Sequence, residues 1–248
     1  MKAFLLAAGQ GTRLRPYTVT VPKCLIPIHE RPLLEIWIDL LERHGVTEVL
    51  INTHYLADAV EQFVTQHQPR TAVNLQTAFE PELLGSGGTL WNHRHWVSAS
   101  TAFLIVYADN LTNADLSQMV AFHNKQCRAL DGVLTMGLFQ APDPHACGIA
   151  VLDPDGRIVN FAEKPERPQS NWANAGIYVA SPEIFDYFPP YKKTPGHTVL
   201  DLGYHVLPRL TGKAFGWRFN GYLRDIGTVA SYRQALEEWP AKGSKHES

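Results

Sequence analysis

The chain has 248 residues, 45% of them hydrophobic and 19% charged, which suffices for a sizeable core and is ordinary for a soluble α/β protein. A formal net charge of −2 provides no global basic field to recruit nucleic acid or an anionic membrane, so any anion must be handled locally. Its 3 cysteines are scattered, without a CxxC pair, which argues against a disulfide framework and points to a reducing cytoplasm.

The first element is AFLLAA, residues 3–8, an apolar run of strand length that leads into Gly9 and Gly11. Arg13 and Arg15 interrupt it too soon for a signal region, and no run approaches the roughly 20 residues that span a bilayer. PLLEIWIDLLERHG then reads as a helix: Leu33, Leu34, Trp37, Leu40 and Leu41 share one face, and Gly45 stands where a C-terminal stop belongs. EVLINT is a second strand, and LADAVEQFVTQH a second helix with Ala59, Val60, Phe63 and Val64 inward. TAFLIVYAD is a third strand, and DLSQMVAFHNKQC a helix capped by Asp115.

Strands that are apolar on both faces and alternate with helices predict an α/β fold. The expected form is a Rossmann-like, doubly wound, mixed but mostly parallel sheet. From about Asp131 the pattern changes to shorter strands, GVLTMGLF, GIAVLD, GRIVNFAEKP and ANAGIYVAS, separated by Gly, Pro and Asp. DPDG, residues 153–156, predicts a hairpin between two of them. Helices are expected near TVLDLGYHVLPRL and at VASYRQALEEW. No linker separates the halves. One domain over residues 1–240 is expected, an α/β half to about 130 and a β-rich half beyond it, with a flexible tail at 241–248.

Gly9 and Gly11 lie at the carboxyl end of a buried strand, where open α/β sheets bind ligands, and glycine lets backbone N–H groups approach phosphate oxygens. Two familiar fingerprints fail. A dinucleotide turn needs a third glycine where Leu14 stands, and Glu48 is misplaced for its ribose-binding acid; a Walker loop is absent. The turn alone also fits a tight bend with solvated arginines. Pro16, Pro22 and Pro27, however, stiffen the segment that carries Arg13, Arg15 and Lys23, as a triphosphate clamp would require.

LLAAGQGTRLRPYTVTVPKCLIPI closely resembles the signature of the sugar-phosphate nucleotidylyltransferases, and ELLGSGGTL, YADN, EKP, NAGIYV and RDIGT resemble later motifs of that family in the same order. The resemblance runs from Met1 to about Trp239 and implies transfer of a nucleotidyl group from a nucleoside triphosphate to a sugar 1-phosphate, with release of pyrophosphate. It implies a nucleotide site at Ala8, Gly9, Gly11, Thr12, Arg13, Lys23, Glu80 and Gly85, in which Glu80 accepts from a base edge and the glycines of the 85–88 loop admit the base. It implies a sugar-phosphate site at Asn110, Gly148, Glu163, Lys164 and Asn174, with Gly176 leaving space for the ring. Mg²⁺ would sit on Asp109 and Asp225, and Arg13, Lys23, Asp109 and Asp225 would be the catalytic set. Ala108 stands where many relatives have glycine, a change with little expected effect.

Alternatives for the two aspartates are local caps, at Asn113 for Asp109 and near Thr228 for Asp225. A buried strand that ends in a carboxylate nevertheless calls for a paired or metal-bound charge. His93 and His95 alternate on a helix and have no third ligand nearby, which argues against zinc; Trp37, Trp91 and Trp96 read as core. Guanylyl transfer to mannose or heptose 1-phosphate is the leading expectation, ahead of uridylyl or thymidylyl transfer. A non-catalytic sensor is the rival of another class. A nucleoside triphosphate and a sugar 1-phosphate are the expected partners, without nucleic acid or membrane; self-association is left open.

Overall fold

The computed structural model describes residues 1–190 and 199–240, so the tail expected at 241–248 lies outside the described residues. In chain order the elements are β1 (Lys2–Leu6), β2 (Pro27–Ile28), β3 (Arg31–Pro32), α1 (Leu33–Arg43), β4 (Glu48–Thr53), α2 (Ala57–His67), β5 (Asn74–Phe79) and α3 (Ser86–Asn92). They continue with β6 (Phe103–Tyr107), β7 (Asn110–Thr112), α4 (Leu116–Phe122), β8 (Leu134–Gln140), β9 (Gly148–Leu152) and β10 (Ile158–Glu163). β11 (Trp172–Ala180), β12 (Ala214–Arg218), β13 (Leu223–Asp225) and α5 (Val229–Glu238) complete the series.

A 9-stranded sheet runs β10-β9-β11-β6-β1-β4-β5, with β8 also paired to β11 and β12 to β8. β1, β4, β5 and β6 are parallel; only β11 and β10 run against the other strands, so the sheet is mixed but mostly parallel, as expected. Alternate residues of the same strands feed two cores. Ala3, Leu5, Val49, Ile51, Leu104 and Val106 meet α1, α2, α4 and α5 on one face. Phe4, Leu50, Phe103 and Ile105 meet α3 and the segments around Ile184 and Leu202–Leu210 on the other. A strand that must bury both faces has no polar alternation to show, which is why these segments read as continuous apolar runs.

Local signals set most of the boundaries. α1 stops at Gly45, whose φ of 77° an L-residue with a side chain rarely adopts. The Asp115 carboxylate accepts from the Gln118 N–H at 3.0 Å and starts α4. The Asp153–Gly156 turn joins the antiparallel pair β9 and β10.

Several features depart from the sequence reading, the short pairs β2–β3 and β7–β13 among them. β5 and β12 were not anticipated: Asn74–Phe79 alternates buried and exposed residues at one end of the sheet, and Ala214–Arg218 is short. The helix expected around 198–210 is broken into Leu202–Val206 and Leu207–Leu210; Thr198 is outside the described residues, and Pro208 removes a donor from the second piece. Among the described residues, no helix is long and apolar enough to cross a membrane.

Candidate functional site

Because β1, β4 and β6 are parallel, their carboxyl ends open on one edge of the sheet, and the expected site residues gather there. A cavity of about 250 Å³ is bounded by Ala8 and Gly9 after β1, Lys23 from the signature loop, Glu80 and Gly85 after β5, and Asp109 after β6. No neighbouring atom lies within 4 Å of the position a Gly9 Cβ would take, so that glycine leaves open space. Gly11 behaves differently. It has φ 62°, its carbonyl accepts from the Thr18 hydroxyl at 2.7 Å, and a Cβ there would meet Thr18 at 2.9 Å, so it folds the signature loop onto itself. Neither Gly11 nor the exposed Thr12 borders this cavity.

Lys23 is buried, and its ammonium donates to Asp109 Oδ2 at 2.7 Å and reaches Asp225 Oδ1 at 3.4 Å. The two aspartates, 116 positions apart in the numbering, are therefore brought onto one cation. The backbone explains how. β7 and β13 form an antiparallel ribbon that pairs Asn110 with Asp225, and the Ile226 N–H bonds the Asp109 carbonyl at 3.0 Å. Neither aspartate serves as the local cap considered from sequence: Thr228 itself caps α5, accepting from the Ser231 N–H at 3.1 Å. The Asp225 side chain is 58% exposed, yet desolvation by the surrounding cavity wall, and then the charge of Asp109, push its carboxyl above the ordinary range, against the pull of Lys23 and Arg13. Gly227 makes room here, since a Cβ would lie 2.9 Å from Asp225 Oδ1 and 3.1 Å from Arg13 Nη2.

A second cavity of about 600 Å³ adjoins the first and shares Tyr107 and Asp109 with it. Arg13, Asn110, Gly148, Glu163, Lys164, Asn174 and Asp225 all border it. Glu163 and Lys164 are adjacent in sequence yet face the same space, because Lys164 leaves the strand at φ 48°, in the left-handed region. Burial raises the Glu163 carboxyl above its ordinary range despite the neighbouring ammonium of Lys164. Gly148 admits that carboxylate: a Cβ would stand 2.5 Å from Glu163 Oε2.

Some small residues expected to face a ligand make room for protein. Gly176 borders the second cavity, and a Cβ there would also lie 2.7 Å from Asn110 Nδ2, an amide that bonds the Ala175 carbonyl at 2.9 Å. Gly85 and Gly87 admit Val199 and Leu200, whose backbone bonds Leu84 and Gly88 at 3.0 Å; Gly85 still borders the nucleotide-side cavity. Glu80, read from sequence as an acceptor for a base edge, is only 2% exposed. Its Oε1 accepts from Asn52 and Thr89, and its Oε2 from the Leu84 N–H at 3.1 Å. With three protein donors already bound, the carboxylate chiefly braces the loop that follows it.

The sequence reading missed Asn52, Ser86, Tyr107 and Asp201 as site residues. All four border the first cavity, and the Ser86 hydroxyl donates to Asp201 Oδ2 at 3.2 Å. Isolated Asn, Ser and Asp residues after apolar strands or in loops have no distinguishing spacing. Tyr107 was hidden within the strand run itself.

Two joined cavities at the carboxyl edge of an α/β sheet, with clustered cations and a shared carboxylate pair, place the site where doubly wound α/β proteins bind ligands. The chain belongs to the nucleotidyl transferase family, which it matches over residues 2–241. It is 32% identical over 251 residues to a UTP--glucose-1-phosphate uridylyltransferase of Synechocystis sp., covering 95% of this chain and 62% of the relative. It is 30% identical over 229 residues to mannose-1-phosphate guanyltransferase beta-B of Xenopus laevis, covering 92% and 61%. The chain thus spans about three fifths of the length of these relatives. The crystal structure of HddC from Yersinia pseudotuberculosis complexed with GMP-PN superposes with a TM-score of 0.76 at 25% identity, covering 96% of this chain and 99% of that one.

Proposed function

We infer that this protein transfers a nucleotidyl group from a nucleoside triphosphate to a sugar 1-phosphate, releasing pyrophosphate. The observation that carries this reading is the Lys23 ammonium lying against both Asp109 and Asp225 where the two cavities meet. In the reaction a phosphate oxygen of the sugar 1-phosphate attacks the α-phosphorus. The bond from that phosphorus to the β-phosphate bridging oxygen breaks, and its electron pair leaves with pyrophosphate. Both reactants are anions, so the protein's work is to bring them together and hold the developing charge.

Lys23 and Arg13 bear on the triphosphate, and Lys164 on the attacking phosphate. Glu163, Asn110 and Asn174 line the sugar side, and Gly9 leaves the nucleotide side open. Asp109 and Asp225 offer only oxygen donors to a position that already accepts one cationic group, which fits Mg²⁺. Among the described residues no third carboxylate, His or Cys joins them, so phosphates and water would complete its shell. When bound, Mg²⁺ neutralises and orients phosphate oxygens.

Guanylyl transfer to mannose or heptose 1-phosphate is the preferred form, supported by the guanyltransferase relative and by the structural relative complexed with GMP-PN. Uridylyl transfer is the second form, supported by the relative named for UTP and glucose 1-phosphate. The unbroken sheet supports one domain over 1–240, and free Cys24, Cys127 and Cys147 support a cytoplasmic setting.

The test is to incubate the protein with each triphosphate, a panel of sugar 1-phosphates and Mg²⁺, and to measure pyrophosphate. Turnover with one pair bears the reading out. Binding without turnover across the whole panel would replace it with a nucleotide sensor.

A further inference from the structure

Asn52, the penultimate residue of β4, has a buried side chain whose three hydrogen bonds join separate parts of the nucleotide-side cavity. Its Oδ1 accepts from the Ala7 N–H at 2.7 Å, where β1 gives way to the glycine turn. Its Nδ2 donates to Glu80 Oε1 at 3.0 Å and to Thr89 Oγ1 at 3.1 Å, and the Thr89 hydroxyl donates in turn to Glu80 Oε1. One amide thus supplies an acceptor to the turn and its two donors to the opposite wall, one to Glu80 just after β5 and one to Thr89 within α3. A carboxylate could not donate, and an apolar side chain could do neither.

We propose that Asn52 is a positioning residue that fixes the span between the phosphate-holding turn and the segment from Glu80 into the first turn of α3, and thereby sets discrimination among nucleobases. This rests on the nucleotide reading of the cavity. A triphosphate held at the turn leaves its base to meet the loop at a distance that this amide determines. Glu80 is the buried charge in the network, so withdrawing its donors leaves an anion that must regain partners or water, and the loop moves with it. Base recognition by hydrogen bonds tolerates such movement poorly, whereas phosphate attraction to fixed cations tolerates it well.

The experiment is titration calorimetry of wild type, Asn52→Leu and Thr89→Val with GTP, UTP, dTTP, ATP and inorganic tripolyphosphate, with thermal melting of each protein. Thr89→Val leaves the Ala7 bond in place and loosens only the loop. In Asn52→Leu the ratio of strongest to weakest nucleotide affinity should fall about tenfold or more, with tripolyphosphate affinity within about threefold of wild type. Thr89→Val should narrow the ratio in the same direction.

Unchanged discrimination in a folded variant, or tripolyphosphate affinity falling in parallel with that of the nucleotides, overturns the proposal. Should Asn52→Leu fail to fold, Thr89→Val decides it alone. A wild-type protein that binds no triphosphate refutes the underlying nucleotide reading, and the role of Asn52 with it, whereas failure confined to the variants refutes only the latter.

Discussion

Among the groups through which acid should weaken this fold, His123 is the most deeply buried. His123 is fully buried, with Nδ1 3.0 Å from the Thr135 hydroxyl and Nε2 3.0 Å from the Ser181 hydroxyl, so it links the end of α4 to β8 and to the segment after β11. Burial, with Arg128 nearby, pulls its pKa from 6.5 to about 4. The unfolded chain therefore binds more protons than the folded one between those values. Stability is complete above pH 6.5 and is lost as pH falls toward 4. At about 1.36 kcal/mol per unit, the loss on going to pH 5 is about 2 kcal/mol, a large share of the ~5–15 kcal/mol that holds a typical domain. Urea denaturation of wild type and His123→Asn at pH 7.5 and pH 5 isolates the effect, since other titrating groups are common to both. Wild type should lose about 2 kcal/mol more than the variant between the two conditions. Equal losses would refute the assignment.

Lys23→Ala should lower pyrophosphate release by about 10²–10³-fold with the circular dichroism spectrum retained, because a fixed charge at the phosphates is lost; near-normal turnover removes Lys23 from the mechanism. Asp225→Asn should lower turnover on the same scale yet melt no lower than wild type at neutral pH. Its raised pKa means that ionisation costs the folded state stability as pH rises through the folded value, and the amide is free of that cost. Millimolar Mg²⁺ should accordingly raise the melting temperature of wild type and leave that of Asp225→Asn unmoved. Gly148→Ala places a Cβ 2.5 Å from Glu163 Oε2 and should raise KM for the sugar 1-phosphate about tenfold while leaving KM for the triphosphate unchanged, read from initial rates.

The residues most legible in the sequence were those whose physics is local. EVLINT marked β4 to the residue, because a strand buried on both faces admits little besides apolar side chains. The association of Asp109 with Asp225 could not be read from spacing. It came from the family resemblance, and the β7–β13 ribbon supplies its physical cause. Glycines were legible as exceptions but not by purpose: Gly9 opens onto one cavity, Gly87 makes room for Leu200, and Gly176 borders the other cavity while making room for Asn110. Asn52 carried no sequence signal at all, since its importance lies in three partners drawn from three different segments. β5 has no continuous apolar run to mark it, because Asn74–Phe79 alternates buried and exposed residues at the end of the sheet.

The β6–β11 pairing reaches beyond architecture. Ile177 through Ala180 are registered against Val106 through Phe103, directly behind the residues that divide the two cavities. Backbone bonding across that seam makes the wall behind both cavities one continuous sheet. A substitution that disturbs either strand would therefore be felt on both sides of the crevice.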